Sequence, residues 1–427
     1  MPSLNELSCT EIAQGIGAGK FTAEAVTRDC LERIKVREDT VKAWATVDPD
    51  HALAQARAVD RGPRRGALHG VPIGVKDVID TFDLPTEMGS AIYKGNRAAC
   101  DAACVAVARA AGAVILGKTV TAEFAGMFPG PTTNPHNPAH TPGGSSSGSA
   151  AAVADFMVPT AFGTQTGGSV LRPAAYCGVV GYKPTFNLIN RSGIKFAAES
   201  LDTIGVIART IDDVELVTAA VIGKEPARHT MEAAPRIGLC RTPLWDTAQP
   251  ETKHAVEDAA KRLSAAGATV REITLPEEFS RLFEASRETI NNYERSKSMA
   301  ADWAANGERI SKVLGDRVKL GMAMRHDDYV AALQLAEDCR SKIERAYEGL
   351  DCMISPCVKG EAPRGLNPTG EPAFQQFWTV LYGPSMSLPT HRGPTGLPVG
   401  LQVVARRYDD DRLFACARWI MAKLGAA

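Results

Sequence analysis

The spacing of apolar positions changes twice along the chain. Over residues 3–60 they recur at helical intervals, with Ile12, Ala13 and Ile16, then Ala25, Val26, Cys30 and Ile34, which predicts two or three helices. From residue 67 the pattern becomes short apolar runs separated by helical stretches. VPIGVKDVID (71–80) predicts a buried strand with Lys76 in its middle, residues 101–111 an alanine-rich helix stopped at Gly112, and AVILGK the next strand. SGSAAAVADF then predicts a helix and MVPTAFGT a strand, and the alternation continues to about residue 215. Such units imply an α/β fold, a sheet covered by helices on both faces. Residues 230–390 are largely helical by spacing, with one strand at ATVREITL, and 391–427 close with a strand at GLQVVA and a helix over 409–424. Strand signals on both sides of the helical stretch favour one domain over 1–427 with a helical insertion.

Composition narrows the partners more than the fold. The 427 residues carry 48 basic and 49 acidic side chains, a net charge of −1. That balance offers no field for nucleic acid or an anionic membrane. No segment reaches the roughly 18 continuous apolar residues of a membrane span, and MPSLNELSCTEIAQGIGAGK lacks an apolar run of signal-peptide length. A cytoplasmic protein is expected. Ten cysteines are scattered, most inside apolar segments (Cys104, Cys177, Cys240, Cys416), where a reducing compartment leaves them as small buried hydrophobes. Cys100 and Cys104 are four apart on an expected helix, and Cys352 and Cys357 are five apart around a proline. Neither pair has histidines at zinc-ligand spacing, and His136 and His140 form no HExxH pattern, so no metal is expected.

Two loops carry unusual chemistry. TPGGSSSGSAAAVA (141–154) places glycines and three serines before a helix, a pattern that serves an anion nest or an ordinary helix cap. TQTGGSVLRPAAYCG (164–178) places two glycines before Ser169, with Pro173 suited to the first turn of a following helix. The amides of Thr166, Gly167, Gly168 and Ser169 could converge there on a developing oxyanion. Arg172, three residues on, shares a helical face with Ser169 and could hold a carboxylate, or stand in solvent. No histidine lies in a triad context, and GxSxG is absent. A lysine base is the remaining option. Val71, Ile73, Val75, Val78 and Ile79 surround Lys76, and burial lowers an ammonium pKa. Equally, the stem could lie along apolar surface with its charge in water.

Together, GGSSSGSAAAVA, TQTGGSVLRPAAYCG and LHGVPIGVKDVID resemble the amidase signature family. The likeness covers about 67–217, including NPHNP at 134–138, and resumes near 396 with GLPVGLQVVARRYDDDRLFACA. It implies a Ser–cisSer–Lys triad, with Ser169 as nucleophile, Ser145 as relay behind a cis peptide, and Lys76 as neutral base. It also implies an oxyanion hole at Thr166–Ser169, an acyl-enzyme, and hydrolysis of a small carboxamide with no cofactor. Family members are often homodimers.

Three positions depart from the family pattern: Gln165 stands where aspartate is usual, Ser147 where glycine is usual, and the arginine is three rather than two residues after the nucleophile. The Gln165 and Arg172 variation is similar to the malonamidase branch. By that likeness Arg172 would bind a substrate carboxylate such as that of malonamate, with Thr164 assisting, unless Arg172 braces the loop. The alternatives are an aryl-, acyl- or urea-type amidase, the A subunit of a glutamine-dependent aminoacyl-tRNA amidotransferase, and a non-catalytic binding protein. Phe377, Trp378 and Tyr382, and the Met127–Phe128 pair, are expected as pocket walls or as core.

Overall fold

The central strands are apolar on both sides, and their alternate residues feed two separate cores. Phe162 and Val206 join one apolar cluster, while Ala161 and Ile207 join another on the opposite face. The computed structural model describes residues 3–367 and 369–426. Its strands are β1 (Trp44–Val47), β2 (Pro72–Lys76), β3 (Val114–Thr119), β4 (Thr160–Gln165), β5 (Val180–Lys183), β6 (Thr203–Ala208), β7 (Arg236–Leu239), β8 (Thr269–Glu272), β9 (Cys352–Pro356), β10 (Ser385–Arg392) and β11 (Pro398–Val404). All 11 belong to one sheet, in the order β1-β3-β2-β4-β6-β5-β10-β11-β9-β7-β8. β2 runs parallel to β3 and β4, and β7 parallel to β8 and β9, while the other pairs are antiparallel.

Helices cover both faces. In chain order they begin with α1 (Cys9–Gly17), α2 (Ala23–Val41), α3 (Pro49–Arg61), α4 (Ala103–Ala110), α5 (Ser147–Ala154), α6 (Leu171–Cys177) and α7 (Ile211–Ile222). Ile12 of α1, Val105 of α4, Val214 of α7 and Leu413 of the last helix, Asp410–Leu424, enter the first core. Cys30 and Ile34 of α2, the alanines of α5 and Leu171 of α6 enter the second. Between β8 and β9 the chain makes a helical excursion that includes Ala285–Ile290, Asn291–Ser298, Lys312–Ala323 and His326–Ala346.

The α/β class expected from the periodicity is the observed one, with several local differences. Residues 3–60 hold three α-helices and also β1, which four residues of WATV could not announce against longer helical runs. Lys76 is the last residue of β2 rather than its middle, because its carbonyl accepts the Val78 and Ile79 amides and turns the chain. Cys100 precedes α4 and is exposed. Within 230–390 the helical reading missed β7, β9 and β10. Pro356 and Pro389 suppress the strand signal there, and the β10–β11 register slips between Leu388 and His391, around Pro389.

Candidate active site

Parallel pairing of β2 with β4 brings their carboxyl ends together, the end of an α/β sheet where loops have room to gather. Val75 is in register with Phe162, so Lys76 at the end of β2 reaches Thr164 near the end of β4. Its Nζ lies 2.8 Å from Thr164 Oγ1, 3.2 Å from the Thr164 carbonyl oxygen and 2.8 Å from Ser145 Oγ. A neutral amine has two N–H groups and one lone pair. It can donate to both Thr164 oxygens and accept from the Ser145 hydroxyl, which uses every contact it has. Burial supports that state: Lys76 is fully buried, and its pKa is pushed well below the usual lysine value by loss of water, with Asp202 opposing and Arg172 reinforcing the shift.

The two serine-bearing loops meet at this point. Gly144–Ser145 is a cis peptide bond. The Ser146 amide donates to the Ser169 carbonyl at 3.2 Å, which joins the start of α5 to the loop before α6. Ser169, 7% exposed, lines a cavity together with Thr166, Gly167, Gly168 and Arg172. Among the described residues the amides of Gly167, Gly168 and Ser169 donate to no other group. A Cβ on Gly168 would meet Gln375 Oε1 at 2.7 Å, so any other residue there would have to displace the Gln375 side chain of helix Ala373–Val380.

Gln165 has a definite task. Its Oε1 accepts the Val170 and Leu171 amides at 2.9 and 3.0 Å, capping the start of α6. Its Nε2 donates to Thr379 Oγ1 at 2.9 Å, a bond that needs an amide and that a carboxylate cannot make. Thr379 Oγ1 in turn lies 2.7 Å from the Gly167 carbonyl. Ser147 opens α5, with its hydroxyl 3.3 Å from the Val120 carbonyl.

Arg172 is nearly buried and both braces and faces the site. Its Nη2 donates to the Gly144 carbonyl at 2.6 Å, beside the cis bond. Its Nε and Nη1 have no hydrogen-bond partner among the described residues, and burial pulls its pKa down to about 10, which leaves it cationic at neutral pH. Thr164, expected beside a substrate carboxylate, instead turns its hydroxyl to Lys76 and does not line the cavity. Phe377 and Trp378 are core: Phe377 is fully buried, and Trp378 Nε1 donates to Ser355 Oγ at 3.0 Å. Tyr382 is half-buried, with its hydroxyl on the Ser200 carbonyl. Met127 lines the cavity, and Phe128 is exposed outside it.

Sequence reasoning missed the far wall entirely. Arg287, Asn291, Asn292, Arg295, Val313, Leu314 and Arg317 come from the helical excursion, where charged residues at helical spacing look like a solvated face. Asp202, just before β6, was also missed. It accepts the Ala197 amide at 2.6 Å and the Thr166 hydroxyl, and burial raises its pKa against those bonds.

Known proteins agree with this architecture. The chain is 36% identical to the A subunit of glutamyl-tRNA(Gln) amidotransferase from Acidothermus cellulolyticus, across 97% of this chain and 94% of that protein. It is 34% identical to the protein of the same name from Salinispora arenicola, across 100% and 99%. Among solved structures it is similar to an amidase (TM-score 0.91, 29% identity, 98% of this chain and 100% of that one). It is also similar to the peptide amidase of Stenotrophomonas maltophilia (TM-score 0.85, 29% identity, 99% and 97%). With residues 25–414 matching the family model described as Amidase, the chain belongs to the amidase family, hydrolases that cleave carbon–nitrogen bonds in amides.

Proposed function

We propose that this protein is a serine amidase that hydrolyses a small carboxamide bearing a free carboxylate. The observation that carries the reading is Arg172, a nearly buried guanidinium with two unpaired nitrogens in the same cavity wall as Ser169. Neutral Lys76 accepts the proton of the Ser145 hydroxyl while Ser145 accepts that of Ser169. Ser169 Oγ attacks the amide carbon, and the oxyanion is stabilised by the unpaired amides of the Gly167–Ser169 loop. The proton returns along the relay to the leaving nitrogen as the C–N bond breaks, releasing ammonia and leaving an ester on Ser169. Water, deprotonated by the same relay, then hydrolyses that ester to the carboxylate. Malonamate is a small substrate of this class, and the likeness to the malonamidase branch that suggests it rests on the nucleophile loop alone.

A second reading is the A subunit of a glutamyl-tRNA(Gln) amidotransferase, favoured by the names of the relatives above 30% identity. It would add partner subunits and tRNA, and its amide would be glutamine, also a carboxylate-bearing carboxamide. Among the described residues no carboxylate lines the cavity to receive an α-ammonium, which favours a purely anionic amide. The alignment to the Acidothermus protein also spans 477 columns against a chain of 427, so that relative carries at least 50 residues this chain lacks.

Ammonia release from malonamate, malonamide and glutamine, by the wild type and by Arg172→Gln, tests both readings. A wild-type preference for malonamate over malonamide that falls by about ten- to a hundredfold in the variant, as expected for a charge-assisted bond, supports the carboxylate reading. Glutamine as the best substrate favours the amidotransferase reading. Equal rates on malonamate and malonamide overturn the role of Arg172.

A further inference from the structure

The cavity holds more positive charge than one carboxylate requires. Arg172 lies deepest, 4% exposed, against the Gly144 carbonyl. Arg287 and Arg317 lie nearer the mouth, with side chains 15% and 23% exposed. Both bind Glu288, Arg287 through Nε at 3.2 Å and Arg317 through Nη1, so one carboxylate serves two guanidiniums. Arg287 Nη1 is buried and has no partner among the described residues. Arg295 also lines the wall, but it is held by the Phe124 carbonyl and Asn291 rather than by an acid.

These charges oppose one another across the cavity. Burial lowers the pKa of Arg172, Arg287 and Arg295, and Arg287 adds to that at Arg172 and Arg317 at the other two. Glu371 opposes the shift at Arg172 and, with Glu288, at Arg287, and Asp202 opposes it at Arg295. Like charges gathered this way cost stability until an anion arrives. Arg287 stands in a π-helical turn, Ala285–Ile290, a local widening of the helix that recurs at functional sites.

We infer that Arg287 and Arg317, held side by side by Glu288, form a second anion subsite nearer the mouth than Arg172, so that the preferred amide carries two anionic groups. The inference rests on the carboxylate reading of Arg172. The deeper carboxylate meets Arg172 next to the reacting carbonyl, and the outer one meets the paired guanidiniums. The substrate class is then the monoamide of a tricarboxylic acid, or a carboxamide with a carboxylate and a phosphate in the same relation.

The test compares the terminal monoamide of tricarballylate with the methylsuccinate monoamide that keeps only the carboxylate nearer the amide, a methyl group standing in place of the outer carboxymethyl arm. The wild type is expected to show a kcat/KM about tenfold or more higher for the tricarballylate amide, mainly through KM. Arg317→Gln should bring that ratio close to one, and Arg317→Lys should restore part of it. A binding measurement needs no turnover: Ser169→Ala should bind tricarballylate about tenfold or more tighter than methylsuccinate, which lacks the outer carboxylate. Equal wild-type values for the two amides, or a ratio unmoved in Arg317→Gln, overturn the second subsite. If malonamate is still preferred over malonamide in that case, only the outer subsite fails. If that preference is missing too, the reading of Arg172 fails with it.

Discussion

The two walls of the cavity are built by different means. On one side Lys76, Ser145 and the loop to Ser169 stand at the ends of β2 and β4 and at the starts of α5 and α6, where sheet register fixes each position. On the other side Arg287, Arg295 and Arg317 reach in from helices that join no sheet. The first wall sets Lys76 Nζ and Ser145 Oγ 2.8 Å apart, within reach of a proton transfer. The second sets charge, which acts over several ångströms and tolerates a longer, more adjustable side chain. Position is held by the backbone frame on one side, and charge by side chains laid over it on the other.

Breaking the first wall should have the largest effect. On the proposed mechanism Lys76→Met removes the base and should lower kcat by about 10²- to 10⁴-fold, measured by ammonia release under saturating substrate. Lys76→Arg, which cannot deprotonate, should be as inactive, so a surviving rate in that variant would remove Lys76 from the relay. In the wild type kcat/KM should rise with pH through the depressed pKa of Lys76, because only the neutral amine accepts a proton.

The same lysine sharpens the comparison through stability. Its folded pKa lies below the unfolded value of about 10.4. Between those two values the unfolded chain binds the extra proton, so stability rises with pH across that window and is flat with respect to this group below it. The unfolding free energy of the wild type, relative to Lys76→Met, should therefore increase from neutral towards alkaline pH in denaturant titrations. A pH-independent difference would mean that Lys76 is charged in the folded protein.

The smallest effect is expected where the frame supports the loop at one remove. Gln165→Ala leaves the Val170 and Leu171 amides without their acceptor and should cost about 1–3 kcal/mol of unfolding free energy, read from the same titrations. Gln165→Glu keeps that acceptor and loses only the donation to Thr379, so it should cost less. Equal losses would mean that the Thr379 bond, not the α6 cap, is what holds the loop.

What could be read from the sequence follows the same division. Glycines, serines and a lysine inside an apolar run are unusual choices, and they lie on strand and loop positions whose neighbours along the chain are also neighbours in space. Hence β2, β4, α5 and the loops around Ser145 and Ser169 were legible. Arg287 and Arg317 look like any charged residue on an amphipathic helix, and only tertiary packing turns them inward. Thr164 illustrates an intermediate case: its place near the site was legible, but strand register, not spacing, decides that its hydroxyl faces Lys76 rather than substrate. β9 and β10 were hidden by prolines that a sheet accepts at a strand end or at a register slip.

The sheet order has a consequence for the making of the protein. β9, β7 and β8 connect to the rest of the sheet only through β10 and β11, and the Gly167 carbonyl is bound by Thr379 on the helix just before β10. A nascent chain on the ribosome therefore carries Lys76, Ser145 and Ser169 long before the segment that joins the two halves of the sheet has been translated. The loop that carries Ser169 is therefore made before the helix that holds it, and its final geometry waits on a residue 212 positions downstream of Gly167.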